Sequence, residues 1–421
     1  MRGRTFPDRR TPTSARAGRD RRRIRRSRML TDWVTPASAF AVNGALYGSL
    51  LTRYPEIAGR VSASETEFGV VLFASALGGL LGSLVAPALV RSGGELGATL
   101  AAGLGYTVFA VSVAWAPELL ILGAAMLVLG LLDGVHDVAM NTYAVRTQQR
   151  VGTALMGRMH ATWSLSLAGA GLLGAGAAGL GVPVVVHIAL VAAVALLVQL
   201  VLALRRRRYL FGSGHAAVKP EPAGPRPPRP IGAVRLRHVL PVLGLAALAA
   251  SYVESPGQEW TALLLNRGFQ ADPGVAAIAP VLFGVGLVAS RLSLDGILRR
   301  VGARTVAAVS GVVMALSMCA GLLVAAVGGP LWWALAAVAV AGLGAGPVFP
   351  LLFAAADYLS VQHGLPAAWT ASIVSALSRI GAISAPVVVG PLTETFGMAM
   401  VFAVMAAGGC VVLLALPRAV R

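Results

Sequence analysis

The chain alternates long apolar runs with short polar breaks. The runs fall near residues 33–53, 67–90, 97–115, 119–143, 158–179 and 183–204, then 238–260, 275–298, 304–326, 331–357, 366–391 and 396–416. Each approaches the roughly 20 residues that a helix needs to cross a bilayer. The pattern predicts an all-α membrane protein with twelve transmembrane helices in two halves of six. Residues 1–31 read as a basic, disordered cytoplasmic tail, 32–204 as the N-terminal bundle, and 238–417 as the C-terminal bundle. Between the bundles, residues 205–237 hold Arg205 to Arg208 and then a Pro-rich stretch, the composition of a linker.

Composition agrees with a polytopic chain. Of its residues 57% are hydrophobic and 12% are charged, against about 25% charged in soluble domains. A net charge of +18 would ordinarily suggest a nucleic-acid partner. Here, however, the basic residues cluster at the ends of apolar runs, and no aromatic-rich basic surface accompanies them. Thirty of the 35 Lys and Arg residues fall on one set of loops and tails, and three, Arg53, Arg60 and Arg267, on the other. The positive-inside rule then puts both termini and the linker in the cytoplasm of a bacterium, with the chain threaded through its inner membrane. Cys319 and Cys410 lie in apolar runs and read as small buried hydrophobes. Neither a cofactor nor a metal is expected, and no nucleotide-binding loop or hydrolytic constellation suggests an enzyme.

The fourth run breaks the apolar pattern with Gly130-Leu131-Leu132-Asp133-Gly134-Val135-His136-Asp137-Val138-Ala139-Met140-Asn141. A charged group at the centre of a membrane helix costs roughly 2.5 to 3.5 kcal/mol. Asp133, His136, Asp137 and Asn141 follow i, i+3, i+4, i+8, which places them on one helical face. One polar stripe can turn inward to a cavity. A carboxylate there, alternately exposed to the two sides, has the chemistry that proton coupling needs, with Asp133 or Asp137 as the proton site and His136 as neighbour or relay. The competing reading is structural: the stripe neutralises Arg379 in the eleventh run, or hydrogen-bonds as glue. An Asp/His/Asp face can also chelate a metal, but no Glu-x-x-His pairs or Cys clusters support that. Glu254 in the seventh run is a second carboxylate of the same kind.

The halves also share a register. Gly130 to Gly134 matches Gly342 to Gly346, and Arg91-Ser92-Gly93 aligns with Arg300-Val301-Gly302. On these features the chain resembles the major facilitator superfamily, in which two six-helix halves are joined by a cytoplasmic loop. The loop around Arg291, Asp295, Arg300, Gly302 and Arg304 carries the most specific piece of the likeness. The resemblance implies that these residues, with Arg91, form a cytoplasmic charge latch, one-sided because Ala86 stands where the first half should carry Asp. Asn43-Gly44, Asp133 to Asn141, His160-Ala161-Thr162-Trp163-Ser164, Glu254 and Trp260 are similar to the fucose-permease-related bacterial branch. That likeness implies a cavity lined by the first and fourth helices of each half.

Asn43, Asn141, His160, Trp163, Trp260 and Arg379 are then the candidate substrate contacts. Trp260 also reads as an interfacial anchor, and His160 as a helix cap or a gate. The function expected is transport of a small polar solute, sugar-like by resemblance, by a monomer working through alternating access with protons. A proton-driven exporter of small organic compounds is the alternative, although Gly169 to Gly179 lacks the Gly-Pro signature of such antiporters. A non-transporting receptor or assembly partner is a third reading.

Overall fold

The computed structural model describes residues 33–210, 233–363 and 367–420. The N-terminal tail and most of the expected linker lie outside the described residues. The first half comprises α1 (Val34–Arg60), α2 (Glu65–Gly93), α3 (Glu95–Trp115), α4 (Leu119–Val151), α5 (Met156–Gly179) and α6 (Val184–Leu210). The second comprises α7 (Ala233–Glu259), α8 (Ile278–Val301), α9 (Ala303–Ala326), α10 (Leu331–Ala345), α11 (Val348–His363), α12 (Ala367–Phe396) and α13 (Met400–Ala419). After α7 the chain stays helical through Thr261–Leu263 and a π-turn, Leu264–Gly268. α10 and α11 form one rod interrupted at Gly346-Pro347. Because α6 reaches Leu210 and α7 starts at Ala233, helix extends into both ends of the segment read as linker.

Ten helical segments among the described residues are long and apolar enough to cross a membrane. The two other long helices counted as spans in the sequence, α1 and α5, fall short of that measure. A count of twelve rests on including them. The physical reason bears on function, since these two carry Asn43, Tyr47, Thr52, Arg53, His160 and Trp163 among their apolar residues. Arg53 itself is not in a loop. It is wholly buried in α1, where Nη2 donates to Glu56 Oε2 at 2.6 Å and to the Val182 carbonyl at 2.5 Å.

Glycine seams hold each half together. A Cβ on Gly130 would strike the Ser75 carbonyl of α2, and one on Gly134 the Gly79 carbonyl. In the reverse direction, Gly78 and Gly82 lie against the α4 carbonyls of Leu127 and Leu131. The second half repeats the arrangement, with Gly342 against the Phe283 carbonyl and Gly346 against that of Leu287 on α8. Without a hydrophobic drive between helices in lipid, such close backbone approach is what makes packing favourable. The second correspondence read from the sequence shifts by one residue. Gly94 (φ 70°, ψ 160°) is the structural counterpart of Gly302 (φ 78°, ψ 158°), because each opens the following helix in a conformation open essentially to glycine alone. Gly93 is instead the last residue of α2.

Between the halves, contact gathers at the end of the bundle opposite residues 33 and 420. There Arg267 Nη1 pairs with Glu65 Oε1 at 2.9 Å, and its Nη2 donates to the Ala63 carbonyl at 3.1 Å. Thr66 N donates to Glu394 Oε2 at 2.9 Å, and Gly274 lies against Gly179. α2 is held at this end by a capping box in which Ser64 and Glu67 satisfy each other's backbone N–H groups. Toward the other end, Arg379 Nη1 reaches across to Ser83 Oγ at 3.4 Å. Asp137, His160 and Arg379 are exposed there. A cleft between the halves is therefore shut at the far end and open toward the end that carries the termini.

Cys319 and Cys410 are exposed on the outer surface of their helices, not buried as their apolar neighbourhoods suggested. An apolar run that crosses a bilayer has two apolar environments, protein and lipid, and composition does not separate them.

Candidate functional site

The wall of the cleft is built where α1 lies directly on α5. A Cβ on Gly44 would meet the Trp163 carbonyl, and one on Gly48 that of Leu167. This closeness brings Trp163 to Asn43, whose Oδ1 accepts from the indole Nε1 at 2.7 Å. An indole nitrogen only donates, so the contact fixes which way the amide faces. Asn43 Nδ2 therefore points at α4, donating to Asp133 Oδ1 at 2.7 Å and lying 3.3 Å from His136 Nδ1. His136 must accept at Nδ1, so in this arrangement the ring is neutral with its proton on Nε2. Its exposure is 2%, and the ring stacks on Tyr106 at 6.4 Å, beside Gly103 of α3 and Gln199 of α6. The stripe read as one face is thus divided: His136 turns into the packed half, and Asp133 stays at the cleft wall.

Asp137 and Asn141 lie one and two turns closer to the open end. Asn141 Nδ2 donates to both the carbonyl and Oδ1 of Asp137, each at 2.9 Å. Arg379, across the cleft on α12, and His160 on α5 lie within electrostatic reach of Asp137. His160 meets Phe40 edge-on at 5.5 Å. Tyr47 stacks on Trp163 with ring centres 6.4 Å apart.

Across the cleft, Glu254 on α7 pairs with Arg291 Nη2 at 3.3 Å, and Arg291 Nε donates to the Gly346 carbonyl at 3.1 Å. This ties Arg291 inside its own half. Arg91, Asp295, Arg300, Gly302 and Arg304 are exposed at the open end, and no ion pair joins these charged residues across the halves among the described residues. Trp260, read as an interfacial anchor, has zero exposure and meets Phe68 of α2 edge-on at 6.3 Å. It is a wedge under the far-end closure, because α7 is held there against the other half and does not end at a lipid interface.

Two residues of the site went unnamed in the sequence. Glu259 accepts from Ser255 Oγ at 2.8 Å, and it acts electrostatically on Tyr47 and Tyr54 of α1. The available signal was Ser255-Pro256-Gly257, residues unusual within a helical span and here carried inside a continuous α7. Tyr47 had no signal beyond its i, i+4 spacing from Asn43.

Two glycine-seamed bundles around a polar cleft, shut at one end, are the construction of a membrane transporter. The sequence matches the Major Facilitator Superfamily over residues 36–367, and the chain belongs to that family. It is 29% identical over 380 residues to an uncharacterized transporter, y4wD, of Sinorhizobium fredii, covering 89% of this chain and 94% of the relative. It is 23% identical over 383 residues to the membrane protein MosC of Rhizobium meliloti, covering 89% of this chain and 87% of the relative. Among solved structures, the nucleoside transporter NupG superposes with a TM-score of 0.69 at 11% identity, covering 92% of this chain and 99% of that one. A D-xylose-proton symporter gives 0.64 at 12% identity, covering 91% of this chain and 95% of that one. At such identities the structural likeness speaks to the fold alone.

Proposed function

We propose that the protein moves a small polar solute through the central cleft by alternating access, and that a proton exchanged at Asp133 drives it. The observation that carries this reading is the Asn43 hub. One amide, oriented by Trp163, holds the Asp133 carboxyl at the cleft wall at 2.7 Å. A carboxyl so placed can exchange a proton with whichever side the cleft faces, and a neutral donor keeps it in position. His136, neutral and hidden behind it, fits the role of neighbour better than that of proton site. The charge asymmetry of the loops supports a cytoplasmic opening in a bacterial inner membrane, with both termini inside. The likeness to the fucose-permease-related branch supports a polyhydroxylated solute, and the nucleoside transporter and xylose symporter among the structural neighbours are compatible with one.

The test uses proteoliposomes loaded with a pH-sensitive dye and challenged with sugars, polyols and nucleosides. At least one solute should evoke proton movement, and Asp133→Asn should abolish it while solute exchange without a gradient persists. Undiminished proton movement in Asp133→Asn, or none for any solute in the unaltered protein, would overturn the coupling.

A further inference from the structure

We propose that His136 exchanges protons with the end that carries the termini through the N-terminal half itself, by way of a water held between its Nε2 and Gln199 Oε1. Asp133 then has a proton route separate from the cleft that the solute uses. The use of this route rests on the coupling reading, whereas its existence rests on the packing of α1, α3, α4 and α6.

His136 turns Nδ1 toward Asn43, which leaves its Nε2–H on the other side of the ring. That side meets α3 and α6. A Cβ on Gly103 would stand 3.1 Å from His136 Nε2 and 2.7 Å from Gln199 Oε1, so a residue without a side chain leaves the two atoms facing one gap. Gln199 Nε2 donates to Thr107 Oγ1 at 2.9 Å, which fixes Oε1 as the end toward the ring. That oxygen has no donor among the described residues. His136 is 2% exposed and Gln199 8%. A buried donor and a buried acceptor thus face each other without a direct bond, and one bridging water satisfies both.

There is room for it. His136 and Gln199 line a cavity of about 10 Å³, the space one water takes up. Its walls run toward the end that carries the termini, from Val42 to Thr35 on α1 and from His136 to Tyr143 on α4, about two turns or 10 Å on each helix. Thr35, Thr99 and Tyr143 are the hydroxyl-bearing residues of these walls. Just beyond Leu96 and Tyr143, Glu95 pairs with Arg146 at 2.7 Å, and the arginine is open to water. Every lining residue belongs to the N-terminal half, so the cavity lies behind the cleft wall.

The proton steps balance across the ring. When Asp133 gives up its proton, His136 Nδ1 takes it as Nε2 passes its own to the bridging water. The carboxyl becomes a carboxylate, and the ring stays neutral with its proton on the other nitrogen. Asn43 Nδ2, which contacts both Asp133 Oδ1 and His136 Nδ1, then donates to the carboxylate alone. Uptake runs the same steps in reverse. The side chains around the ring from α1, α3 and α6 are Asn43, Tyr106 and Gln199, so the passing proton meets no fixed charge there.

The measurement is exchange of the His136 Nε2 proton with water, followed by NMR on full-length protein carrying isotope-labelled histidine in lipid nanodiscs and assigned with His136→Gln. The proton should sit on Nε2 and exchange within the dead time of mixing despite its burial. Gly103→Ala places a methyl in the gap, where the flexible end of Gln199 can yield, and Gln199→Leu removes the acceptor. Each should slow the exchange roughly tenfold or more. Gly123→Ala, where a Cβ meets nothing, should leave it unchanged. In proteoliposomes the two blocking variants should slow solute-evoked proton movement while solute exchange without a gradient persists. Melting temperature separates a blocked route from lost folding, and Gln199→Leu carries the test alone if Gly103→Ala does not fold. Exchange over hours in the unaltered protein, a proton on Nδ1 instead of Nε2, or exchange unchanged in both blocking variants would overturn the proposal. Undiminished proton movement in both would also overturn it and leave the coupling at Asp133 standing. Fast exchange that the blocking variants slow, in a protein that moves no protons with any solute, would instead defeat the coupling and leave the water route in place.

Discussion

The two halves are built on the same seam and loaded differently. Gly130 and Gly134 press α4 onto α2, and Gly342 and Gly346 press α10 onto α8 in the same register. At the positions aligned with Asp133, His136 and Asp137, the second half carries Ala345, Val348 and Phe349. Its carboxyl groups sit on α7 instead, as Glu254 and Glu259, on either side of Pro256 within the helix. What repeats is therefore the close helix packing that makes each half a unit, and what differs is the chemistry each brings to the cleft. Duplication of a scaffold does not require duplication of a site.

The largest expected effect tests the shared part. Gly130→Leu and Gly342→Leu each drive a side chain into a backbone carbonyl of the facing helix, which cannot move aside as a flexible side chain can. Overpacking of this kind costs about 1 to 3 kcal/mol even where neighbours can yield. Both variants should lose monodisperse, folded protein on size exclusion, and to a similar degree. A well-behaved Gly342→Leu beside a collapsed Gly130→Leu would show that the seams are not equivalent.

The unshared part is tested at Asn43. Asn43→Leu keeps the volume but strands the Trp163 indole N–H and removes the donor facing Asp133 and His136. Each stranded buried group costs about 1 to 3 kcal/mol. Melting should fall by several degrees and solute-evoked proton movement should disappear. Ser255→Ala, the nearest equivalent in the second half, removes one neutral donor to Glu259. It should cost less stability and leave proton movement in place. Equal losses from both changes would contradict the asymmetry.

The asymmetry was partly legible in the sequence. Charge in hydrocarbon is expensive enough that Asp133, His136 and Asp137 stand out wherever they occur, and helical periodicity groups them. Periodicity does not reveal which side chains of a stripe face the cleft. His136 turns away from Asp137 only because Gly103 leaves room for it beside Tyr106 and Gln199, a property of two other helices. Glu259 escaped notice because it lies toward the end of an apolar run, where a carboxylate is cheap. Only the continuation of α7 through Leu264–Gly268 puts it inside the bundle. The exposed cysteines and the one-residue shift from Gly93 to Gly94 belong to the same class, since each depends on direction in space and not on spacing along the chain.

The smallest expected effect concerns the closure that both halves share. Arg267 on the second half meets Glu65 and the Ala63 carbonyl on the first, and the side chains of the ion pair are 25% and 21% exposed. Pairs open to water contribute about 0 to 1 kcal/mol, so Arg267→Ala should loosen the far-end closure severalfold at most, without unfolding the protein. A cysteine placed at Ala63, which is buried at this contact, reports the shift through its rate of labelling by a membrane-impermeant maleimide added to the far side. The rate should rise modestly in Arg267→Ala and in Glu65→Ala. It should rise no further in the double variant, because the two side chains act as one contact. Thr66 N on Glu394 and the approach of Gly274 to Gly179 still hold the far end shut. A rise of several orders of magnitude would mean that a single ion pair controls the closure. A fully additive double variant would mean that Glu65 and Arg267 hold the end shut through separate partners, and that the first half contributes to the gate independently of the second.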